Sequence, residues 1–159
     1  MPSVTEPLRL IFLDIDGVLN SWWFMRAIGS LWDSDNQADD LDPDACARLE
    51  RIIVETGASV VLSSSCRLDT SLASVEQMLR ARGAPSARVI GATPPPWVGS
   101  RRGHEIQRWI DENTHVGPVV ILDDDSDMAH LTPRLVKTSM EHGLLDEHVA
   151  RAIELLKGP

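Results

Sequence analysis

Residues 10–20 of the chain read Leu-Ile-Phe-Leu-Asp-Ile-Asp-Gly-Val-Leu-Asn. A short apolar run here ends in two aspartates, Asp14 and Asp16, and then in Gly17. This pattern predicts a buried parallel strand that delivers carboxylates to its C-terminal edge. Because open α/β sheets bind their ligands at that edge, the stretch marks the expected functional site.

Two carboxylates this close together repel each other. A fold tolerates them when a cation, a shared proton or a transferred group offsets the cost. Since the pair follows an apolar strand, we expect a divalent metal ion to be the compensating group, and oxygen ligands suit Mg²⁺ best. The alternative interpretation is a strand that simply ends in a helix-capping aspartate.

The composition is that of an ordinary globular protein. The chain has 159 residues, 43% of them hydrophobic and 25% charged, which predicts one domain spanning residues 1–159. The net charge of −9 counts against a domain built mainly to grip nucleic acid. Part of that charge lies in clusters at residues 33–44 and 123–127, and a bound metal ion would neutralise the second. Net charge therefore does not decide the substrate.

Cysteine content and hydropathy bear on the compartment. Cys46 and Cys66 are too few for a disulfide framework and fit a reducing environment. No apolar run approaches the length needed to cross a bilayer, and the first residues lack the basic and apolar regions of a signal peptide. We therefore expect a cytoplasmic protein that does not act at a membrane.

Strand and helix patterns alternate along the chain. Strands are predicted at residues 10–13, 58–62, 88–91, 119–122 and 135–137. Helices are predicted from Asp42-Pro43 to Gly57, from Thr70 or Ser71 to Gly83, around Ile106, Trp109 and Ile110, and at residues 146–156. Residues 21–25 are predicted to form a flap or short helix, and residues 33–40 an exposed connection. The alternation predicts a Rossmann-like, doubly wound, mostly parallel α/β sheet of about five strands with helices on both faces.

Three of the predicted strands end in residues that can do chemistry. The first ends in Asp14 and Asp16, the second in Ser63 and Ser64, and the fourth in a further acidic cluster that begins at Asp123. A second carboxylate cluster at a second strand end strengthens the prediction of a metal site.

In this order the residues resemble the haloacid dehalogenase-like (HAD) phosphatase superfamily. Residues 14–17 match its first motif, Ser63 its second, Arg101 or Arg102 its third, and Asp123-Asp124 its fourth. Residues 61–67, 102–106 and 122–124 are similar to the subgroup named for Swiss Army Knife RNA repair proteins.

The resemblance implies a mechanism. Asp14 is the nucleophile that forms an aspartyl-phosphate, and Asp16 is the general acid and base, with its backbone carbonyl reaching the metal. Mg²⁺ is held by Asp14 and Asp124, with Asp123 beside it.

The resemblance also implies the substrate contacts. Ser63 donates a hydrogen bond to a phosphoryl oxygen, and Arg102 balances charge on the transferring group. Gly17 belongs to the same substrate-binding set. Ser64 replaces Ser63 if the strand runs one residue longer, and Arg101 is the alternative to Arg102.

Chain length limits the substrate. Residues 21–58 number only 38, and one predicted helix uses a third of them. Residues 67–119 are already used by a helix, a strand and another helix, so no room remains for a full cap domain. An open site suits phosphates on bulky molecules, and we expect a nucleotide or an RNA or DNA end as the substrate.

Two alternatives come from other functional classes. A receiver-like phospho-acceptor domain would use Lys137-Thr138 on the last strand, although receivers have no counterpart of Asp16-Gly17. A catalytically idle interaction module would keep the magnesium site without turnover.

Overall fold

The structure is a computed structural model that describes residues 6–29, 41–63 and 71–158. Its strands are β1 (Leu8–Leu13), β2 (Ser59–Leu62), β3 (Val89–Ala92), β4 (Val116–Asp123) and β5 (Leu135–Lys137). They form one five-stranded sheet in the order β3-β2-β1-β4-β5, and every neighbouring pair is parallel. The predicted α/β sheet is thus confirmed, and within the described residues it is wholly parallel.

The helices are α1 (Trp22–Ala27), α2 (Pro43–Thr56), α3 (Leu72–Arg82), α4 (Arg102–Glu112) and α5 (Asp146–Lys157), with a 3₁₀ helix at Ala129–Arg134. Residues on one face of the sheet, such as Ile11 and Leu13, pack in the core with α2, α3 and α5. The alternating residues, such as Leu10 and Phe12, pack in a second core with α4 and the 3₁₀ helix. The prediction of helices on both faces is confirmed.

Local sequence signals set the helix ends. The Asp42 side chain accepts a hydrogen bond from the Asp44 amide at the start of α2, and Gly57, at φ 71°, ends that helix in the left-handed region. Ser71 caps α3, whereas the alternative cap Thr70 lies outside the described residues. Ser21 caps α1, so the predicted flap or short helix is a helix.

Two features differ from the sequence prediction. Strands β1 and β4 begin earlier than their fully apolar runs, because their first residues pair at the partly exposed start of the sheet. The 3₁₀ helix was not predicted, since six residues are too few to show a helical repeat.

No cap domain is present among residues 6–29, 41–63 and 71–158, in agreement with the prediction. The predicted connection at residues 33–40 lies outside those ranges. In the same described ranges, no helix combines the length and the apolar character that crossing a bilayer requires.

Strand order locates the functional edge. From β1 the chain moves outward through β2 to β3, then returns to place β4 on the other side of β1. This reversal creates a switch point between the carboxyl ends of β1 and β4, where open α/β sheets bind ligands. Asp14 and Asp123 lie there, one at the end of each strand.

Candidate active site

The residues at the strand ends form a row along the carboxyl edge of the sheet. The Asp14 amide donates a hydrogen bond of 3.0 Å to the Leu122 carbonyl of β4, and the Ser63 amide donates one of 3.0 Å to the Leu13 carbonyl of β1. Leu13 and Leu122 are register partners, so Asp123 continues the row on β4. The ladder of the parallel sheet therefore brings together residues that are far apart in sequence.

The row faces α4. Side chains on a strand alternate between its two faces. The residues two positions before Asp14, Ser63 and Asp123 all pack in the core under α4, and they are Phe12, Val61 and Ile121. The three functional side chains therefore project toward the side of the sheet that carries the N-terminus of α4.

Three carboxylates converge at this edge. One oxygen each from Asp14, Asp123 and Asp124 lies within 4.8 Å of the other two. Asp14 and Asp123 are buried and Asp124 is half-buried. Three carboxylate oxygens form a donor set that suits a hard divalent cation, and Mg²⁺ in particular. The residues present thus fit the metal implied by the sequence.

Asp16 lies outside the carboxylate cluster. Its side chain is exposed, and its carboxylate accepts a hydrogen bond of 2.8 Å from the side-chain amide of Asn20. The contribution predicted for Asp16 in metal binding is its backbone carbonyl, and that contribution stays a prediction. Its exposed carboxylate has the solvent access that a proton donor and acceptor needs.

Gly17 lies directly against Asp124. Its φ is 81°, and a Cβ on this residue would lie 2.6 Å from Cγ of Asp124, so no larger residue fits without displacing that carboxylate. The Gly17 amide donates to the Asn20 side chain at 3.0 Å, and the Thr138 hydroxyl donates to the Gly17 carbonyl at 2.5 Å. These bonds hold the turn that carries Asp16.

The sequence analysis missed Asn20 and Thr138 as supports of the site. Asn20 has a local signal, because it stands three residues after Gly17, a spacing at which side-chain amides bind backbone groups of a turn. Thr138 is 121 positions from Gly17 and has no such signal. Sequence reasoning considered Thr138 only for a receiver-like role.

Arg102 is the arginine that contacts the carboxylates. Its Nη1 lies 2.7 Å from Oδ2 of Asp123 and 3.4 Å from Oδ1 of Asp14. Arg101 instead pairs with Asp127 at the exposed side of the loop. Geometry therefore separates the two arginines that the sequence left as alternatives.

Burial and nearby charges shift the pKa values of Asp123 and Arg102 in opposite directions. Burial raises the pKa of Asp123, and the nearby Arg102 guanidinium and Asp125 amide offset the rise only in part. Burial alone would lower the pKa of Arg102, but the carboxylates of Asp123 and Asp14 outweigh it and hold that pKa above its ordinary value. Arg102 is therefore a fixed positive charge beside Asp14.

Close packing at the N-terminus of α4 sets the position of Arg102. A Cβ on Gly103 would lie 2.0 Å from the carbonyl oxygen of Met128, and the Gly103 amide donates to the Asp127 carbonyl at 3.1 Å. A glycine at this position thus lets the helix start touch the loop after β4. The contact places Arg102, the residue before Gly103, next to Asp123.

The family comparison agrees with this geometry. A family model described as the HAD domain in Swiss Army Knife RNA repair proteins matches residues 10–149. The chain belongs to this family. The match spans the strand ends that carry the four motifs, and it confirms the resemblance stated from the sequence. Comparison with curated proteins gave no match.

As a HAD domain, the chain is a member of a phosphatase superfamily with an acidic cluster at the expected edge. Ser63, expected in the second motif, is buried and adjoins Asp14 in the row. Its alternative, Ser64, lies outside the described residues, as do Cys66 and Arg67. The choice between the two serines stays open.

The contacts of Lys137 and Thr138 do not support the receiver-like alternative. Lys137 is exposed, and the basic side chain that contacts Asp14 and Asp123 belongs to Arg102. The Thr138 hydroxyl is bound to the Gly17 carbonyl, so it supports the turn. The family match and these contacts both count against a phospho-acceptor domain.

Thr93 extends the row by one strand. Its amide donates to the Leu62 carbonyl at 2.8 Å, which places it beside Ser63. A Cβ on Gly91, two residues earlier, would meet the Trp109 ring of α4, so Thr93 faces the same side of the sheet. Its hydroxyl oxygen is buried and has no hydrogen-bond partner among the residues that the structure describes.

We expect Thr93→Val to stabilise the HAD domain by about 1 kcal/mol, because a methyl group of similar size replaces a buried hydroxyl that no described residue binds. Urea unfolding of both proteins measures the change. Thr132→Val is the matched control, because the Thr132 hydroxyl is exposed and donates a hydrogen bond to the Ala129 carbonyl. This variant should not be more stable than the unmodified protein. A loss of stability in Thr93→Val would show that the hydroxyl contributes a favourable interaction.

Proposed function

We propose that this HAD domain is a Mg²⁺-dependent phosphomonoesterase that works through an aspartyl-phosphate and acts on the phosphorylated end of a nucleic acid. The convergence of Asp14, Asp123 and Asp124 beside Arg102 is the observation that carries the proposal. Such an arrangement provides a nucleophile, a metal site and a positive charge within one small volume.

The first half of the reaction transfers the phosphoryl group to the protein. A carboxylate oxygen of Asp14 attacks phosphorus, and the bond from phosphorus to the leaving oxygen breaks. Asp16 gives its proton to that leaving oxygen, and Asn20 holds the Asp16 carboxyl in position. Mg²⁺ bound by the carboxylate cluster supplies positive charge that reduces repulsion between nucleophile and phosphate.

The second half returns the protein to its starting state. Asp16, now a carboxylate, takes a proton from water, whose oxygen attacks the phosphorus of the aspartyl-phosphate. The bond from phosphorus to Asp14 breaks, and inorganic phosphate leaves. Arg102 balances charge on the transferring group in both halves, and Ser63 donates a hydrogen bond to one of its oxygens.

Two observations support a bulky substrate. The described residues contain no cap domain, and none of their helices or strands forms a separate unit over the carboxyl edge of the sheet. The matched family is named for RNA repair proteins, and this name favours a phosphorylated RNA end as the substrate. A nucleic-acid end as substrate and a cytoplasmic location both stay predictions.

Phosphate release tests the proposal. The purified protein is offered an aryl phosphate, sugar phosphates, mononucleotides and oligonucleotides phosphorylated at either end, with Mg²⁺ or with a chelator. We expect many turnovers with Mg²⁺, none after chelation, and recovery when Mg²⁺ is restored. Phosphorylation of the protein without phosphate release would instead support a phospho-acceptor. Thermal stabilisation by Mg²⁺ with no turnover on the whole panel would support an idle module.

A further inference from the structure

Two neighbouring tryptophans are exposed beside the carboxylate site. Trp22 and Trp23 open α1, and they are 48% and 63% exposed. Single exposed apolar residues are common on protein surfaces and need no explanation. Two adjacent indole rings form a larger apolar surface than a single exposed residue does.

Backbone hydrogen bonds tie the start of α1 to a loop that reaches Gly17. The Trp22 amide donates to the Met140 carbonyl at 2.8 Å, and the Trp23 amide donates to the Glu141 carbonyl at 3.1 Å. The Met140 sulfur in turn lies 2.8 Å from the position of a Cβ on Gly17, which borders Asp124. The start of α1 is therefore tied to the carboxylate cluster through one loop.

Trp23 forms a ring pair with His142. The two ring centroids are 5.4 Å apart and the planes are tilted by 52°, and both side chains are exposed. Trp97, at the opposite end of the carboxyl edge, differs because the Arg108 guanidinium lies 5.5 Å from its ring centroid. The Trp23–His142 pair thus offers ring surface to an incoming planar group, whereas the Trp97 ring already has a cation over it.

We propose that the Trp23–His142 pair binds the nucleobase next to the phosphate held at Asp14, which rests on the proposed function. Every base has a face that stacks on an aromatic ring, so this contact recognises a nucleotide without reading its sequence. The net charge of −9 gives the protein no long-range attraction for a phosphate backbone, and stacking supplies the missing affinity. A specific protein interface needs a far broader surface than two rings.

Kinetics with and without a base test this proposal. Adenosine monophosphates phosphorylated at the 3′ or 5′ position are compared with the corresponding ribose phosphates, which lack the base. We expect Trp23→Ala to raise KM for the nucleotide about tenfold, the effect of losing one stacked base, with kcat and the ribose phosphate kinetics unchanged. Trp97→Ala is the matched control. It should leave KM and kcat for the nucleotides and for the ribose phosphates near those of the unmodified protein.

Three kinetic outcomes would overturn the proposal. One is an unchanged nucleotide KM in Trp23→Ala. Another is an equal rise in KM for the ribose phosphate, which would indicate that the substitution disturbs the structure of the site. The third is a rise in the nucleotide KM in Trp97→Ala and not in Trp23→Ala. That result would place the base-binding site near Trp97.

A binding measurement keeps this proposal separate from the proposed function. Adenosine, which carries no phosphate, is titrated into the protein by isothermal calorimetry. Binding heat that disappears in Trp23→Ala would support the base site even if no phosphate ester is hydrolysed. No binding of adenosine or of its monophosphates, together with self-association that Trp23→Ala abolishes, would show that the rings dock a second copy and would overturn the proposal.

Discussion

Asp14→Asn is expected to lower kcat for phosphate release by at least about 10³-fold, because an amide cannot act as the nucleophile. The substitution also removes one of the three negative charges from the cluster, so Mg²⁺ should bind more weakly. The fold should survive, since the Asp14 amide keeps its bond to the Leu122 carbonyl and one source of repulsion among carboxylates is lost. Phosphate release and thermal unfolding, measured on the same preparation, check both statements.

Asp111→Asn is the matched control for that experiment. Asp111 is exposed on α4 and accepts a hydrogen bond from Gln107 four residues earlier, so its loss should change neither activity nor stability appreciably. Equal activity in Asp14→Asn and the unmodified protein would refute the assignment of Asp14 as nucleophile.

Gly103→Ala is expected to lower the free energy of unfolding by about 3 kcal/mol or more, because the new methyl group would overlap the backbone of Met128. Backbone atoms cannot rotate away as a side chain can, so the start of α4 must shift. The shift would draw Arg102 away from Asp123 and Asp14 and reduce phosphate release in the protein that remains folded. Denaturant unfolding and phosphate release under folding conditions measure the two effects.

Gly29→Ala separates packing from backbone strain. Gly29 has a φ of 66°, yet no atom of the described residues lies within 4 Å of a Cβ placed on it, so the expected cost of alanine there is that of a left-handed conformation, about 1–2 kcal/mol. Activity should be unaffected because Gly29 follows α1 at the surface. If Gly103→Ala proved no more harmful than this control, the close contact with Met128 would not be what positions Arg102.

The fold could be predicted because its signals are local. Asp42, Gly57 and Ser71 each set a helix end through contacts within a few residues, and such contacts are visible in the sequence. The convergence of Asp14 and Asp123 followed from a general rule, since parallel strands carry their ends to the same edge. Neither inference required knowledge of side-chain packing.

The finer features of the site depend on contacts between distant residues. Arg101 is the extended residue before α4 and Arg102 is the first residue of that helix, so the two side chains point in different directions. The contact between Gly103 and Met128, which joins distant parts of the chain, sets which of them faces the cluster. The bond from Thr138 to Gly17 crosses 121 positions and leaves no trace in sequence spacing. The exposure of Trp23 could not be predicted either, because an aromatic run is as typical of a core as of a rim.

In the proposed reaction, Asp14 receives the phosphoryl group beside a metal ion held by the carboxylate cluster. A crystal structure of the protein with Mg²⁺ and beryllofluoride tests it most directly, because beryllofluoride binds a carboxylate as a phosphoryl group does. We expect beryllofluoride on the Asp14 carboxylate, with Mg²⁺ bound to Asp14 and Asp124. Beryllofluoride on another residue, or Mg²⁺ bound away from both aspartates, would contradict it.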